Sequence, residues 1–430
     1  MSKSVWLIKV WVIVWLTGLW TLAPNALFAQ RVSVDVDPIR EYSVGVELYQ
    51  KQKYGAAQER FDVALSHTRA LPSIEKENAV YYQASSALEL FNKDGEYLMR
   101  DFIEVYPEHP FVNLANYQLG KYYFTKKKYR SVLSQFELVD ELDLDEKYQE
   151  EYFFKKGYSH FQQEEYDLSK DALSKVLEGG KKYRSPALYY NSYILYREGK
   201  NEAALVGFKE LETDKLFGTV APFYVLQIYY RQGKNEEVLS YGADLLKKDF
   251  SESKRGEIHR MMGEAHYNLG NYAAAIPDME IAISELGGNR NDRYKLAYAS
   301  YRGSDFEKAL LYFQQVTDEE DDITQLAHYY MGDIYLKLDR KMEARSAFRN
   351  ASRYDFDKEI MEDALFNFAK AAYELSYDPY NEAVQAFEEY IDKNPNSARV
   401  DEAYEFLLKV YLTTKNYEAA LKSIEKIKNQ

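Results

Sequence analysis

A chain of 430 residues exceeds what one hydrophobic core usually serves, so it must be several domains or an open-ended stack. Its 46% hydrophobic and 29% charged residues exclude both a disordered chain and an integral membrane bundle. The net charge of −14 works against binding to phosphate backbones or anionic lipid, and the absence of cysteine removes disulfides, thiolate metal sites and cysteine nucleophiles.

The first element reads as an export signal. Lys3 and Lys9 precede an uncharged stretch from Val10 to Ala29, and Ala26-Leu27-Phe28-Ala29-Gln30 places a small residue before a cut. Residues 1–29 are expected to be removed, which takes −14 to −16 with the loss of the two lysines. Residues 30–37 then form a short linker, and residues 38–430 carry everything else. An uncleaved signal anchor is the alternative, since 20 uncharged residues nearly span a bilayer.

Beyond residue 38 the chain repeats. Gly45, Tyr54, Ala57, Phe61 and Ala64 set out a pattern: a small residue, an aromatic nine positions on, then an Ala and a large apolar residue at helical spacing. The stretch Ala79–Pro110 lacks a clean small-then-aromatic pair. Gly120, Tyr129, Val132, Phe136 and Val139 restore it. The acidic stretch Asp140–Glu146 reads as a solvated linker and helix start, and the doublet Gly179-Gly180 as a helix stop. Tyr196–Glu202 and Tyr230–Glu236, 34 residues apart, differ at one position. The pattern recurs at Gly263, Tyr272, Ala275, Met279 and Ala282, with a second stop at Gly287-Gly288. Tyr272, Ala275 and Ala282 become Phe306, Ala309 and Val316 after a further 34 residues. The run Asp318–Asp322 has neither the spacing nor the glycine of a calcium loop and reads as a solvated insertion. Gly332, Lys341, Ala344, Phe348 and Ala351 follow. The turn near Asp378-Pro379-Tyr380 is two residues longer, and Leu408, Tyr417, Ala420, Ile424 and Ile427 close the chain. Its end, Lys428-Asn429-Gln430, follows that helix directly, so an uncapped apolar end that self-associates or docks a partner is expected.

The small residue lets a second helix come close, the aromatic fills the space after the turn, and the remaining apolar residues face the partner helix. This pattern resembles the tetratricopeptide repeat, a 34-residue helical hairpin, over about residues 38–430. The resemblance implies an all-α fold: a right-handed superhelical solenoid of about eleven helix pairs, each packed on its neighbours. It also implies a protein-binding scaffold. Tyr- and Lys-rich repeats behind such a signal look like the periplasmic scaffolds of Bacteroidetes-type bacteria. The expected setting is therefore the periplasm, with outer-membrane association an option, and the expected partners are other envelope proteins or peptide segments. Nucleic acid and strong membrane binding are not expected.

No catalytic, cofactor or metal site emerges, and the chain reads as non-enzymatic. His259 and His266 lie seven apart, not at the four-residue spacing of a zinc-protease helix. The informative feature is an aromatic stripe on first helices. Tyr189, Tyr193 and Tyr196 share one helix face. Phe154, Tyr158 and Phe161 repeat the pattern, as do Tyr294, Tyr298 and Tyr301. Tyr117 with Phe124 and Phe223 with Tyr230 are partial versions. In the family, the corresponding face lines a concave groove, which makes these thirteen rings candidates for partner binding. Two other readings stand beside this one. The rings could pack between repeats as core, or exposed tyrosines could stack on peptidoglycan or other glycans. Chaperone-tail-binding members of the family clamp a carboxylate with an Asn just after the small residue. Val46, Lys121, Tyr158, Tyr193, Glu264, Tyr298, Asp333 and Lys409 stand at those positions here, so that clamp is not expected.

Overall fold

A computed structural model describes residues 37–375 and 381–428. The expected signal segment, the longer turn at 378–380 and the side chain of Ile427 lie outside the described residues or side chains. Among the described residues there are 22 α-helices, three short 3₁₀ turns and no strand. In chain order they run as eleven consecutive pairs: α1 (Pro38–Gln50) then α2 (Tyr54–Ser66), α3 (Ser73–Glu89) then α4 (Gly95–Val105), α5 (Val112–Thr125) then α6 (Tyr129–Phe136), and α7 (Glu146–Gln162) then α8 (Tyr166–Gly179). Next come α9 (Arg184–Arg197) with α10 (Asn201–Glu210), α11 (Ala221–Arg231) with α12 (Asn235–Leu245), α13 (Glu252–Asn268) with α14 (Tyr272–Leu286), and α15 (Arg290–Arg302) with α16 (Phe306–Phe313). The last three are α17 (Asp322–Lys337) with α18 (Lys341–Ala351), α19 (Lys358–Leu375) with α20 (Asn381–Lys393), and α21 (Val400–Thr413) with α22 (Tyr417–Lys428). The chain divides into two compact units between Tyr122 and Tyr123, within α5.

Several hairpins close on one kind of contact. The small residue of the first helix lies against a large residue sixteen positions later on the second. A methyl group on Gly45 would come 2.7 Å from the Phe61 ring, one on Gly263 2.9 Å from Met279 Cγ, and one on Gly332 2.7 Å from the Phe348 ring. Phe61 and Phe348 are almost wholly buried by this approach. The hairpin of α11 and α12 reverses the sizes: fully buried Leu226 takes the first-helix position and Gly242 the second, where an added methyl would strike Met262 at 2.8 Å. The stretch Ala79–Pro110, which shows no clear pattern in sequence, uses Ala84 in the small position.

The turns are equally uniform. In ten hairpins the seventh residue after the small position has positive φ, and the next N–H reaches back to a first-helix carbonyl. Glu164 (φ 61°) precedes a bond from Glu165 N to His160 O of 3.0 Å, and Asp339 (φ 57°) one from Arg340 N to Tyr335 O of 2.8 Å. This is the left-handed helix stop that satisfies orphan carbonyls. Glycine is the favoured residue there, yet only Gly199, Gly233 and Gly270 supply it; the other seven turns force an ordinary side chain into that region.

The acidic run before α17 is held, not merely solvated. Asp321 caps the helix, accepting from Thr324 N at 2.9 Å, and Arg290 reaches across from α15. The Arg290 guanidinium pairs with Asp321 and donates to Val316 O at 2.6 Å and Thr324 Oγ1 at 2.7 Å. The sequence shows the charges but not the arginine thirty residues upstream that anchors them. Arg290 is also the first cause holding the Asp321 carboxyl below the usual range.

Two outcomes are expected. Gly332→Ala should cost about 1–3 kcal/mol in denaturant unfolding, as overpacking does, and Phe348→Leu in the same chain should recover part of it. Because the Asp321 pKa is depressed in the folded state, its contribution is present above the unfolded value of about 3.9 and is lost as pH falls through the folded one. Arg290→Gln should therefore cost about 1.5–3 kcal/mol at neutral pH, the scale of lost hydrogen bonds to a charged group. Stability curves measured from pH 7 to 3 should be flatter for that variant.

Candidate functional site

The thirteen rings singled out in the sequence occupy three positions relative to the small residue of each first helix. Three residues before it stand Tyr117, Phe154, Tyr189, Phe223 and Tyr294. One residue after it stand Tyr158, Tyr193 and Tyr298. Four residues after it stand Phe124, Phe161, Tyr196, Tyr230 and Tyr301. None of the thirteen is exposed; Tyr117, Phe154, Tyr196 and Phe223 are buried and the rest half-buried.

Within the second unit, the row at minus three packs inside its own hairpin and onto the next. Tyr189 meets Phe208 at 6.1 Å edge-on and lies flat on Phe217 at 4.6 Å; Tyr294 meets Phe313 at 5.9 Å. Tyr42, Tyr81 and Tyr329 hold the same position in other hairpins. In the first nine hairpins, eight residues at this position are aromatic, and the exception is Arg260 of α13.

The row at plus four ties neighbouring first helices together. Its tyrosine hydroxyl reaches the residue just after the next small position. Tyr196 donates to Gln227 Oε1 at 2.9 Å, Tyr230 to Glu264 Oε2 at 2.6 Å and Tyr301 to Asp333 Oδ2 at 2.7 Å. The hydroxyls of Tyr49 and Ser85 stand 2.7 Å apart in the same relation within the first unit. The carboxylates are themselves paired: Lys295 lies 3.2 Å from Glu264, and Lys337 contacts both Asp333 and the Tyr301 hydroxyl. Arg231 lies 3.8 Å above the Tyr196 ring. Burial, then the hydrogen bond to Glu264, pushes the Tyr230 hydroxyl up to about 12.

In the row at plus one no ring is fully buried, and each is held by neighbours. Tyr158 meets Phe124 at 5.5 Å and Tyr190 at 4.9 Å, Tyr193 meets Phe161 at 5.7 Å and Tyr224 at 5.8 Å, and Tyr298 meets Tyr330 at 5.1 Å. The Tyr298 hydroxyl accepts from Arg302 at 3.0 Å. Two ring clusters result, one running from Phe124 to Tyr224 and one from Tyr267 to Tyr330. Between them, α11 and α13 present Gln227, Arg260 and Glu264. Sequence reading missed Tyr190, Tyr224 and Tyr330, each two residues before the small position. The signal was there, since the same spacing from that residue locates all three.

The two histidines of α13 face the second helix of their hairpin. His259 Nδ1 is 2.8 Å from Asp278 Oδ1, and His266 Nε2 is 3.9 Å from its other oxygen.

Short helices paired through a small residue, turned by a left-handed stop and linked hairpin to hairpin define a helical-hairpin repeat protein. Two family models described as tetratricopeptide repeat match residues 260–322 and 363–397. The chain carries tetratricopeptide repeats in these two segments. No curated protein matches it. Similar solved structures include a tetratricopeptide repeat protein from Parabacteroides merdae, 15% identical over 60% of this chain and 98% of that one, with a TM-score of 0.35. Another is the C-terminal part of a repeat-containing protein from Cytophaga hutchinsonii, 13% identical over 63% and 98%, with a TM-score of 0.37. A third is the yeast Tom70, 14% identical over 91% of each chain, with a TM-score of 0.27.

The tyrosine links carry a pH signature. The Tyr230 hydroxyl is raised in the folded state, so its contribution is complete below the unfolded value of about 10 and is lost as pH rises through the folded one. Stability should fall between about pH 10 and 12, with tyrosinate absorbance appearing together with the loss of helix. Tyr230→Phe should destabilise the chain at pH 8 and remove part of that alkaline loss.

Proposed function

We propose that this chain is a non-enzymatic scaffold of the cell envelope that holds segments of partner proteins along its first helices. The observation that carries the reading is the row at plus one. Tyr158, Tyr193 and Tyr298 are fixed by neighbouring rings yet keep part of their surface open. A ring held in this way offers contact area at little entropic cost, which suits a protein-binding surface. The paired charges of Glu264, Asp333 and Lys337 beside the rings would supply polar contacts at the edge of such a surface. Stacking on glycans is the weaker reading, because it needs open ring faces, and here Tyr189 lies flat on Phe217 and Tyr224 on Phe208. The envelope setting is supported by Lys3, Lys9, the apolar stretch that follows and the Ala29-Gln30 junction.

A photo-crosslinking residue at Tyr193 should give discrete protein adducts in intact cells, whereas one at Val206, 70% exposed on the second helix of the same hairpin, should not. Equal adducts from both positions would remove the first-helix face as the binding surface. Tyr193→Ala with Tyr298→Ala should weaken the captured partner by about 2–4 kcal/mol, beyond any loss explained by a parallel thermal melt. N-terminal sequencing of the mature protein should begin at Gln30; an intact Met1 would count against release into the periplasm.

A further inference from the structure

Three hairpins build the same sandwich of rings. The large residue of the second helix is clasped between the ring at minus three of its own hairpin and a ring at minus two of the next. Tyr42, Phe61 and Tyr82 form one, with centroids 6.3 and 5.6 Å apart. Tyr189, Phe208 and Tyr224 form another at 6.1 and 4.8 Å, and Tyr294, Phe313 and Tyr330 a third at 5.9 and 5.9 Å. At the hairpin of α13 and α14 all three rings are absent. Arg260 stands at minus three, Met279 on the second helix, and Lys295 at minus two of α15.

A cavity of about 310 Å³ lies there, lined by those three residues and by Ile283, Leu286 and Asp292 among others. Its floor is apolar, with Met279 only 5% exposed. Its volume is at the small end of ligand sites, suited to one side chain rather than a larger molecule. The charges around it are unequally used. Glu264 accepts from Tyr230 and pairs with Lys295, and Asp292 accepts the Asn289 N–H at the start of α15. Arg260 is exposed at the rim and, among the described residues, has neither a hydrogen-bond nor an ion-pair partner.

We propose that this cavity is a docking slot for one aromatic side chain of a partner protein segment, with a carboxylate next to that ring pairing with Arg260. The ring restores the packing that equivalent hairpins make internally, and the guanidinium can lie against its face as well as bind the acid. This deepens the scaffold reading and rests on it, since the slot opens on the first-helix side chains of α13 and α15.

The probe is N-acetylphenylalanine, compared with its amide and with N-acetylalanine, and read by the Met279 methyl NMR signal, assigned through Met279→Leu. N-acetylphenylalanine should shift that signal saturably at millimolar concentration, as expected for so small a ligand. The amide should bind several-fold more weakly, and N-acetylalanine should produce no shift. Arg260→Gln should erase the preference for the acid over the amide. Arg260→Tyr should fill the slot from within, abolish the response and raise the melting temperature. A Met279 signal that stays put with N-acetylphenylalanine overturns the proposal, as does undiminished binding to Arg260→Tyr; equal binding of acid and amide overturns the carboxylate contact. If the probe fails while crosslinking at Tyr193 persists, the slot is lost and the scaffold stands.

Discussion

The distance between the two helices of a hairpin is the constraint on which the rest depends. With Gly332 against Phe348 or Gly45 against Phe61, the axes come close enough for a ring edge to sit where a methyl group would be. That proximity buries the large residue and aligns the turn, so the seventh residue on must adopt a left-handed conformation whatever its side chain. The α11–α12 hairpin shows that the constraint concerns summed volume, since Leu226 and Gly242 satisfy it with the sizes exchanged.

A second set of contacts converts the hairpins within a unit into a stack. Each unit of a repeat protein is stable only through its neighbours, so links between first helices matter as much as those inside a hairpin. Here the link is a tyrosine that spends its ring on packing and its hydroxyl on the next helix. Tyr230 and Tyr301 end on carboxylates which then hold Lys295 and Lys337, so a packing contact, a hydrogen bond and an ion pair run through one side chain. The abundance of tyrosine follows in part from this: phenylalanine at Phe161 fills the same space without the polar link.

The chemistry of the candidate surface arises where this architecture is varied. Eight of the first nine hairpins fill the position three residues before the small one with a ring, and Arg260 leaves it open. A space that is core elsewhere becomes a cavity, and a cation that would be costly inside a packed hairpin remains at the rim in water. The proposed slot thus draws on positions that other hairpins use for packing.

The repeat period, the helix pairs and their turns were legible in the sequence, because helical spacing and volume are properties of residues a few positions apart. Gly263 with Met279 and Gly332 with Phe348 announce a hairpin without reference to anything distant. Even where the pattern failed, at Ala79–Pro110, the length of chain left room for a pair. What each tyrosine does was decided only by the tertiary structure. The same four-residue spacing puts Tyr193 in a half-open row and Tyr189 in a ring stack, and only the neighbouring hairpin distinguishes them. The partner of Tyr230 lies 34 residues away at Glu264, and the arginine that holds Asp321 lies 31 away at Arg290. Such pairings depend on how consecutive hairpins are rotated, which no local spacing encodes. The cavity beside Arg260 is of the same kind: it is three rings missing across two consecutive hairpins, and it exists only once they are stacked.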